Sequence, residues 1–322
     1  MTLASPGIHH VTAIASDPQE NVDFYGGVLG MRLVKRTVNF DDPTTHHFYY
    51  GDPEGSPGSI LTFFPWPGSR RGRQGAGQAA VVAFAIRPAS VGFWIERFIK
   101  HRVDFEHPKS RFDEERVIAF RDPDGMLCEL VAHPSAESAL GPETLAIPRE
   151  HSIRGIYSVT LWQESSELTG KLLVESLGYE PVREQASIFR YAAQGRGLGS
   201  IIDVRAVAGL WQGVMGSGTI HHVAFRAPDE DQQLAERNAL VARGFNVTAQ
   251  MDRNYFKSVY FREPGGVLFE IATDGPGFTV DEPVTSLGKS LKLPQWLEHR
   301  RFEIEALLPD VTLPLEIPGP NA

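Results

Sequence analysis

Two stretches near opposite ends of the chain share one core, Ile8-His9-His10-Val11 and Ile220-His221-His222-Val223. Each is a short β-branched run close behind a glycine, which reads as a strand, and each opens a larger unit. The later unit continues with an amphipathic helix predicted over 231–243, carrying Leu234, Leu240 and Val241 and ending near Gly244. It closes on Gly265-Gly266-Val267-Leu268-Phe269-Glu270-Ile271, again strand-like. The pattern of strand, helix and further strands recurs four times, and an internal repeat of this kind constrains the fold more than any single residue. Module one spans residues 1–66 with a helix over 19–29, and module two spans 79–133 with a helix over 91–100. Module three spans 155–206 with a helix over 166–177, and module four spans 218–275. A Pro-punctuated tail, 276–322, carries a short helix over 295–308. The separators are loop-like, Gly/Arg-rich over 68–78, with Pro, Ser and Gly over 134–152 and Gly-rich over 207–218, and the run Arg70-Arg71-Gly72-Arg73 in the first reads as a solvated loop.

Composition narrows the function classes. A chain of 322 residues exceeds the usual single-core range. Its net charge of −9 argues against a nucleic-acid partner. The single cysteine, Cys128, sits in an apolar run and reads as a small buried hydrophobe, with no disulfide framework. No stretch is long enough to span a bilayer and the first residues show no leader pattern, so no membrane partner and a cytoplasmic location are expected. Oligomeric state, a homodimer included, stays open.

The chemistry resides in the histidine doublets. Two imidazoles from two such strands and one carboxylate from a third make a 2-His-1-carboxylate set, which suits Fe, Mn, Zn or Ni and leaves metal positions open. Neighbouring side chains on a strand point to opposite faces, so one member of each pair is expected to face the cavity, and alternation does not say which. Module two also ends in a glutamate, Glu129, but its first strand has no histidine, and Glu129 reads as structural.

Four βαβββ modules in an α+β chain resemble the vicinal-oxygen-chelate superfamily, which includes glyoxalase I and the extradiol dioxygenases. The resemblance implies paired modules curled into two open barrels, with the active barrel from modules one and four. His9-His10-Val11-Thr12, Phe24-Tyr25, Leu33-Val34-Lys35-Arg36-Thr37, His221-His222, Pro264-Gly265-Gly266-Val267-Leu268-Phe269-Glu270, Ser286-Leu287-Gly288 and Leu293-Pro294 look like the hydroquinone-type ring-cleaving dioxygenases of that superfamily. That likeness places the metal ligands at His10, His222 and Glu270. It implies Fe(II), with Mn(II) suited to the same donors, and a small aromatic substrate with O2. It implies catalytic roles for His221, Tyr260 and Arg253, and substrate contacts for Thr12, His9 and His47. Phe225, Phe256, Phe261 and Phe278 are expected to wall the ring. Three alternatives remain: an extradiol catechol dioxygenase, a glyoxalase-like metal-dependent isomerase, and a metal-free small-molecule binding or resistance protein. The isomerase usually needs a further acid, which the strand over 60–64 lacks, and the binding protein has no use for the doublets.

Overall fold

The computed structural model describes residues 4–112, 114–195 and 197–314; the ends of module one and of the tail, residues 1–3 and 315–322, lie outside the described residues. Module one runs β1 (Ile8–Ala15), α1 (Pro18–Val22) continuing into a wider helical turn (Asp23–Val28), β2 (Arg32–Asn39), β3 (Asp42–Gly51) and β4 (Ile60–Pro65). Module two runs β5 (Gln78–Ile86), α2 (Val91–His101), β6 (Lys109–Arg111), β7 (Glu115–Arg121) and β8 (Leu127–Ala132). Module three runs β9 (Ile156–Gln163), α3 (Glu167–Glu175), β10 (Glu180–Gln185), β11 (Ile188–Ala192) and β12 (Ile201–Ala206). Module four runs β13 (Thr219–Ala227), α4 (Glu230–Ala242), β14 (Met251–Asp252), β15 (Lys257–Arg262) and β16 (Leu268–Thr273). The strands form two eight-stranded curled sheets, ordered β14-β15-β16-β13-β1-β4-β3-β2 and β10-β11-β12-β9-β5-β8-β7-β6. The first and last quarters of the chain therefore share one open barrel and the middle two share the other. Among the described residues no helix is long and apolar enough to cross a membrane.

The seam of each barrel is an antiparallel pair, β1 with β13 and β5 with β9. Both seams contain bulges. In β1–β13, Ile8 faces Phe225 while His10 faces Ala224, leaving His9 as the extra residue; Thr12 faces His222 while Ala13 faces Ile220, leaving His221 as the extra residue. The register shifts recur in β5–β9 at Ala80 and Tyr157. A bulge breaks strict alternation and re-aims the side chains around it.

Two expectations are corrected here. The buried face of α4 is Gln233, Glu236 and Leu240, whereas Leu234 and Val241 are 38% and 45% exposed. Hydrogen bonds rather than apolar packing hold much of this face: the Gln233 amide donates to the carbonyls of Lys257 and Ile271, both at 2.7 Å. The arginine-rich separator is also more than a solvated loop. Its backbone zips against the other separator, with Gly72 N donating to Ser217 O at 2.9 Å and Arg73 and Val214 exchanging bonds at 2.8 and 2.7 Å. A Cβ on Gly72 would lie 2.4 Å from Thr219 Cγ2, so the close approach requires glycine. The tail forms a single turn at Glu298–Arg300 followed by α5 (Arg301–Leu307), and Leu293, Leu297, Ile304 and Leu308 cluster with Val38 of β2.

The second barrel is filled by charge. Arg190 donates to both oxygens of Asp203 at 2.8 Å and pairs with Glu115, and Arg111 bridges Glu115 at 2.7 Å and Glu129 at 2.8 Å. Glu129 lies opposite Ala83 of β5 as Glu270 lies opposite Ala224 of β13. By the same register Ser158 and Val81 occupy the places of His10 and His222.

Two stability predictions follow from these buried charges. Replacing Arg190 with Met leaves Glu115 and Asp203 buried without it and should destabilise the chain by about 3–5 kcal/mol, measured by chemical denaturation. Glu236 is buried with one oxygen unpartnered, and burial pushes its carboxyl up to about 7. The folded state then holds a proton that the unfolded state releases above about pH 4.3, so stability falls as pH rises from there through 7. Glu236→Gln should raise Tm at pH 8 and flatten the slope between pH 4.5 and 7; an unchanged pH dependence refutes the assignment.

Candidate metal centre

The seam register brings His10 of β1 and His222 of β13 side by side, and the parallel pairing of β13 with β16 sets Glu270 next to Ala224. All three side chains are buried. His10 Nε2 and His222 Nε2 are 3.3 Å apart, and Glu270 Oε2 lies 3.4 Å from the first and 2.9 Å from the second. A divalent ion with bonds of about 2.0–2.2 Å at right angles needs donor atoms about 3 Å apart, and these donors fit. Glu270 Oε2 makes no well-aligned hydrogen bond despite its two imidazole neighbours, so the three sets of lone pairs face one shared space. Among the described residues this is the sole His/Cys/Asp/Glu group compact enough to hold an ion.

The surroundings prepare these donors. Ser258 Oγ donates to Glu270 Oε1 at 2.5 Å, fixing the carboxylate so that Oε2 faces the imidazoles. Burial pushes the Glu270 carboxyl up, but the neighbouring His10 and His222 outweigh it and hold it well below the usual carboxylate range. His9 Nδ1 and His10 Nδ1 are 2.9 Å apart, and His221 Nδ1 and His222 Nδ1 are 2.8 Å apart. A ligand histidine that donates its Nδ1 proton to its neighbour keeps Nε2 bare for a metal. Burial pulls His9 well below, and His221 down to about 3, so both neighbours stand neutral and able to accept.

The donors line a cavity of about 260 Å³, together with Phe40, Phe64, Trp66, Phe256 and Leu268 among others. Thr12, His47, His221, Arg253 and Tyr260 also line it, and His9 does not: it lies behind, its ring 5.0 Å from that of Phe256. His221 and His222 both reach the cavity, against the expectation of one per pair, because the bulge at His221 suspends alternation. Tyr260 stands directly opposite Glu270 on β15–β16, a pairing hidden by the Pro-Gly-Gly turn between them. The Arg253 guanidinium lies 5.5 Å over the Tyr260 ring and pairs with Asp41 at 3.0 Å. Of the four expected phenylalanine walls, only Phe256 lines the cavity. Phe225 and Phe261 belong to the main apolar core, and Phe278 packs against Tyr49 and Tyr255. The aromatic wall comes instead from module one, where Phe64 and Trp66 stack at 5.4 Å. Period-two spacing from Tyr260 could have found Ser258; nothing in the sequence marks Asn39, Phe40 or Asp41.

The family model for the glyoxalase/bleomycin resistance protein/dioxygenase superfamily matches residues 7–130 and 164–271. The chain belongs to that superfamily. It is 45% identical over 310 residues to a Bacillus subtilis (strain 168) protein named "Putative ring-cleaving dioxygenase MhqE", covering 96% of this chain and all of the relative. It is 31% identical to the chlorohydroquinone/hydroquinone 1,2-dioxygenase of Sphingobium indicum, covering 92% of this chain and 94% of that one. The crystal structure of a "putative dioxygenase" from Bacillus subtilis superposes with a TM-score of 0.90 at 41% identity, covering 98% of this chain and 99% of the other.

Protein purified without oxygen and titrated with Fe(II) should bind one ion per chain. Glu270→Gln keeps the shape but removes the charge, and should weaken binding by at least about tenfold, a loss known even for changes beside the ligands, with an unchanged circular dichroism spectrum. Undiminished binding would remove Glu270 from the centre.

Proposed function

We propose that this protein is a ring-cleaving dioxygenase acting on a hydroquinone-type aromatic and O2, with Fe(II) held by His10, His222 and Glu270. One observation carries the reading: a buried three-donor cluster lining an aromatic-walled cavity. The full-length relatives named for this chemistry support it. Three protein donors leave positions for substrate and O2, the arrangement used by non-haem iron oxygenases. When bound, Fe(II) supplies the one-electron and O2 chemistry that no side chain provides.

The residues around the centre bind, orient and exclude water. Phe64, Trp66, Phe256 and Leu268 offer flat apolar surface to a planar ring and keep water from the reacting carbon atoms. Arg253 faces the cavity with its charge balanced by Asp41, and orients an ionised ring hydroxyl. With His222 donating at Nδ1, the neutral His221 carries its proton on Nε2 and can donate a hydrogen bond from it to an oxygen in the cavity. Tyr260, held opposite Glu270, is a second hydroxyl donor at the same wall. Thr12 and His47 face the substrate, and His9 acts through His10. Mn(II) suits the same donors. Fe(II) and the buried free thiol of Cys128 both persist in a reducing cytoplasm, which fits that location.

A glyoxalase-type isomerase is disfavoured because β4, beside β1, places Thr62 next to Thr12 and carries no acid. Iron-loaded protein should consume O2 with hydroquinones, more slowly with catechols, and Glu270→Gln should lose this activity together with its iron. Protein that takes up no oxygen with any hydroquinone or catechol refutes the dioxygenase assignment, and preference for a catechol refutes the substrate.

A further inference from the structure

Thr12 and His47, which face the substrate in the scheme above, belong to one polar chain whose hydrogen-bond direction that scheme leaves open. Tyr49 Oη lies 2.9 Å from His47 Nδ1, His47 Nε2 lies 2.9 Å from Thr62 Oγ1, and Thr62 Oγ1 lies 2.8 Å from Thr12 Oγ1. Thr12, Thr62 and Tyr49 are at most 1% exposed, and Thr12, His47 and Tyr49 line the cavity. Each of the four groups both donates and accepts, so the chain can run in either of two directions.

Its far end decides between them. Burial keeps the Tyr49 phenol protonated, and the ring is packed among Tyr255, Phe256 and Phe278. Among the described residues its hydrogen-bond partner is His47 Nδ1, and since leaving a buried O–H unmatched is costly, the phenol donates to it. His47, which burial holds well below its usual value, is neutral, so an accepting Nδ1 puts the ring proton on Nε2. That N–H donates to Thr62, Thr62 donates to Thr12, and the Thr12 hydrogen is left for the cavity.

We infer that Tyr49, His47 and Thr62 form a one-way hydrogen-bond chain that fixes the Thr12 hydroxyl as a donor to a negatively charged oxygen of the bound substrate. The inference rests on the ring-cleavage reading for the identity of that oxygen, an ionised ring hydroxyl. Thr12 faces His222 across the seam and follows His10 by two residues, so its hydrogen arrives beside both imidazole donors. Successive donors in a buried chain polarise one another, which strengthens the last. Thr12 is the group that touches substrate; Tyr49, His47 and Thr62 are positioning residues.

Two readouts test this. In the full chain loaded with Zn(II), a diamagnetic ion suited to the same donors, long-range nitrogen–proton NMR correlations, with His47→Gln to assign the ring, should show His47 protonated on Nε2. Tyr49→Phe should abolish that preference. A ring protonated on Nδ1 in the parent overturns the inference. The tautomer is read without substrate, so it decides the direction of the chain even where no hydroquinone is cleaved.

The second readout is oxygen uptake by the iron-loaded protein with hydroquinone. Thr12→Val and Thr62→Val should each lower kcat/KM by roughly tenfold or more, the size expected of a hydrogen bond to a charge. The double variant should be no worse than Thr12→Val alone, and Thr62→Ser should restore activity. Thr37→Val, which removes a buried unpartnered hydroxyl opposite His47 on β2, should leave kcat/KM unchanged. Additive losses at Thr12 and Thr62, or a Thr62→Val as active as Thr37→Val, overturn the inference.

Discussion

The antiparallel seam between β1 and β13 sets everything else at the centre. It joins strands from opposite ends of the chain, and its hydrogen-bond ladder alone decides that His10 and His222 meet. A slip of one residue would turn a donor out of the cavity. The two bulges make the register hard to slip, because each extra residue must find its own place. His9 and His221 do so by lying against the Nδ1 atoms of the ligand histidines. The irregularity of the seam therefore supplies the groups that orient the donors.

The two barrels are one design with different solutions to a buried charge. Each places a glutamate at the same point of the closing strand, Glu129 in one and Glu270 in the other. A buried carboxylate costs several kcal/mol unless a positive charge meets it. In the second barrel Arg111 meets Glu129, while Arg190 joins Glu115 and Asp203 in the same network. In the first barrel two imidazoles face the carboxylate, and an ion held by all three would complete the compensation. Guanidinium fills its site with fixed N–H groups and leaves nothing open, whereas an ion with three protein donors retains positions for other ligands. Among the described residues the one donor set that could hold an ion with open positions thereby lies in the outer modules.

Much of this arrangement is legible in the sequence. The repeated strand–helix–strands pattern shows the four modules, and the doublets at His9-His10 and His221-His222 show which two modules share a barrel. What escapes the sequence has particular causes. Alternation predicts one cavity-facing histidine per pair, and the bulge at His221 defeats it. Helical periodicity favours Leu234 and Val241 as the buried face of α4, but Gln233 hydrogen-bonds to the sheet and turns the helix the other way. Proximity in sequence to the ligands suggests Phe225 and Phe261 as walls, although they pack into the main apolar core and do not line the cavity. The real walls, Phe64 and Trp66, are remote from two of the three ligands in sequence and near them only through the parallel pairing of β1 with β4.

The second barrel still has a part in the site, through the turns that start the closing strands. Glu263 opens the turn into β16 and accepts from Val267 N of that turn, from Gln163 Nε2 of β9 and from Thr169 Oγ1 of α3. The ligand strand is thus anchored to module three just before it delivers Glu270. Asp122 plays the matching part for β8, accepting from Met126 N and from Tyr25 Oη of module one. Each closing strand is gripped by a helical segment or strand of a module in the opposite barrel. A single pair of modules would hold the three donors but not these grips, and donors that must stay within a few tenths of an ångström of a working geometry need rigid support behind them. The guanidinium-filled barrel is best understood as that support: its charges are spent internally, and its rigidity is passed to β16 through Glu263.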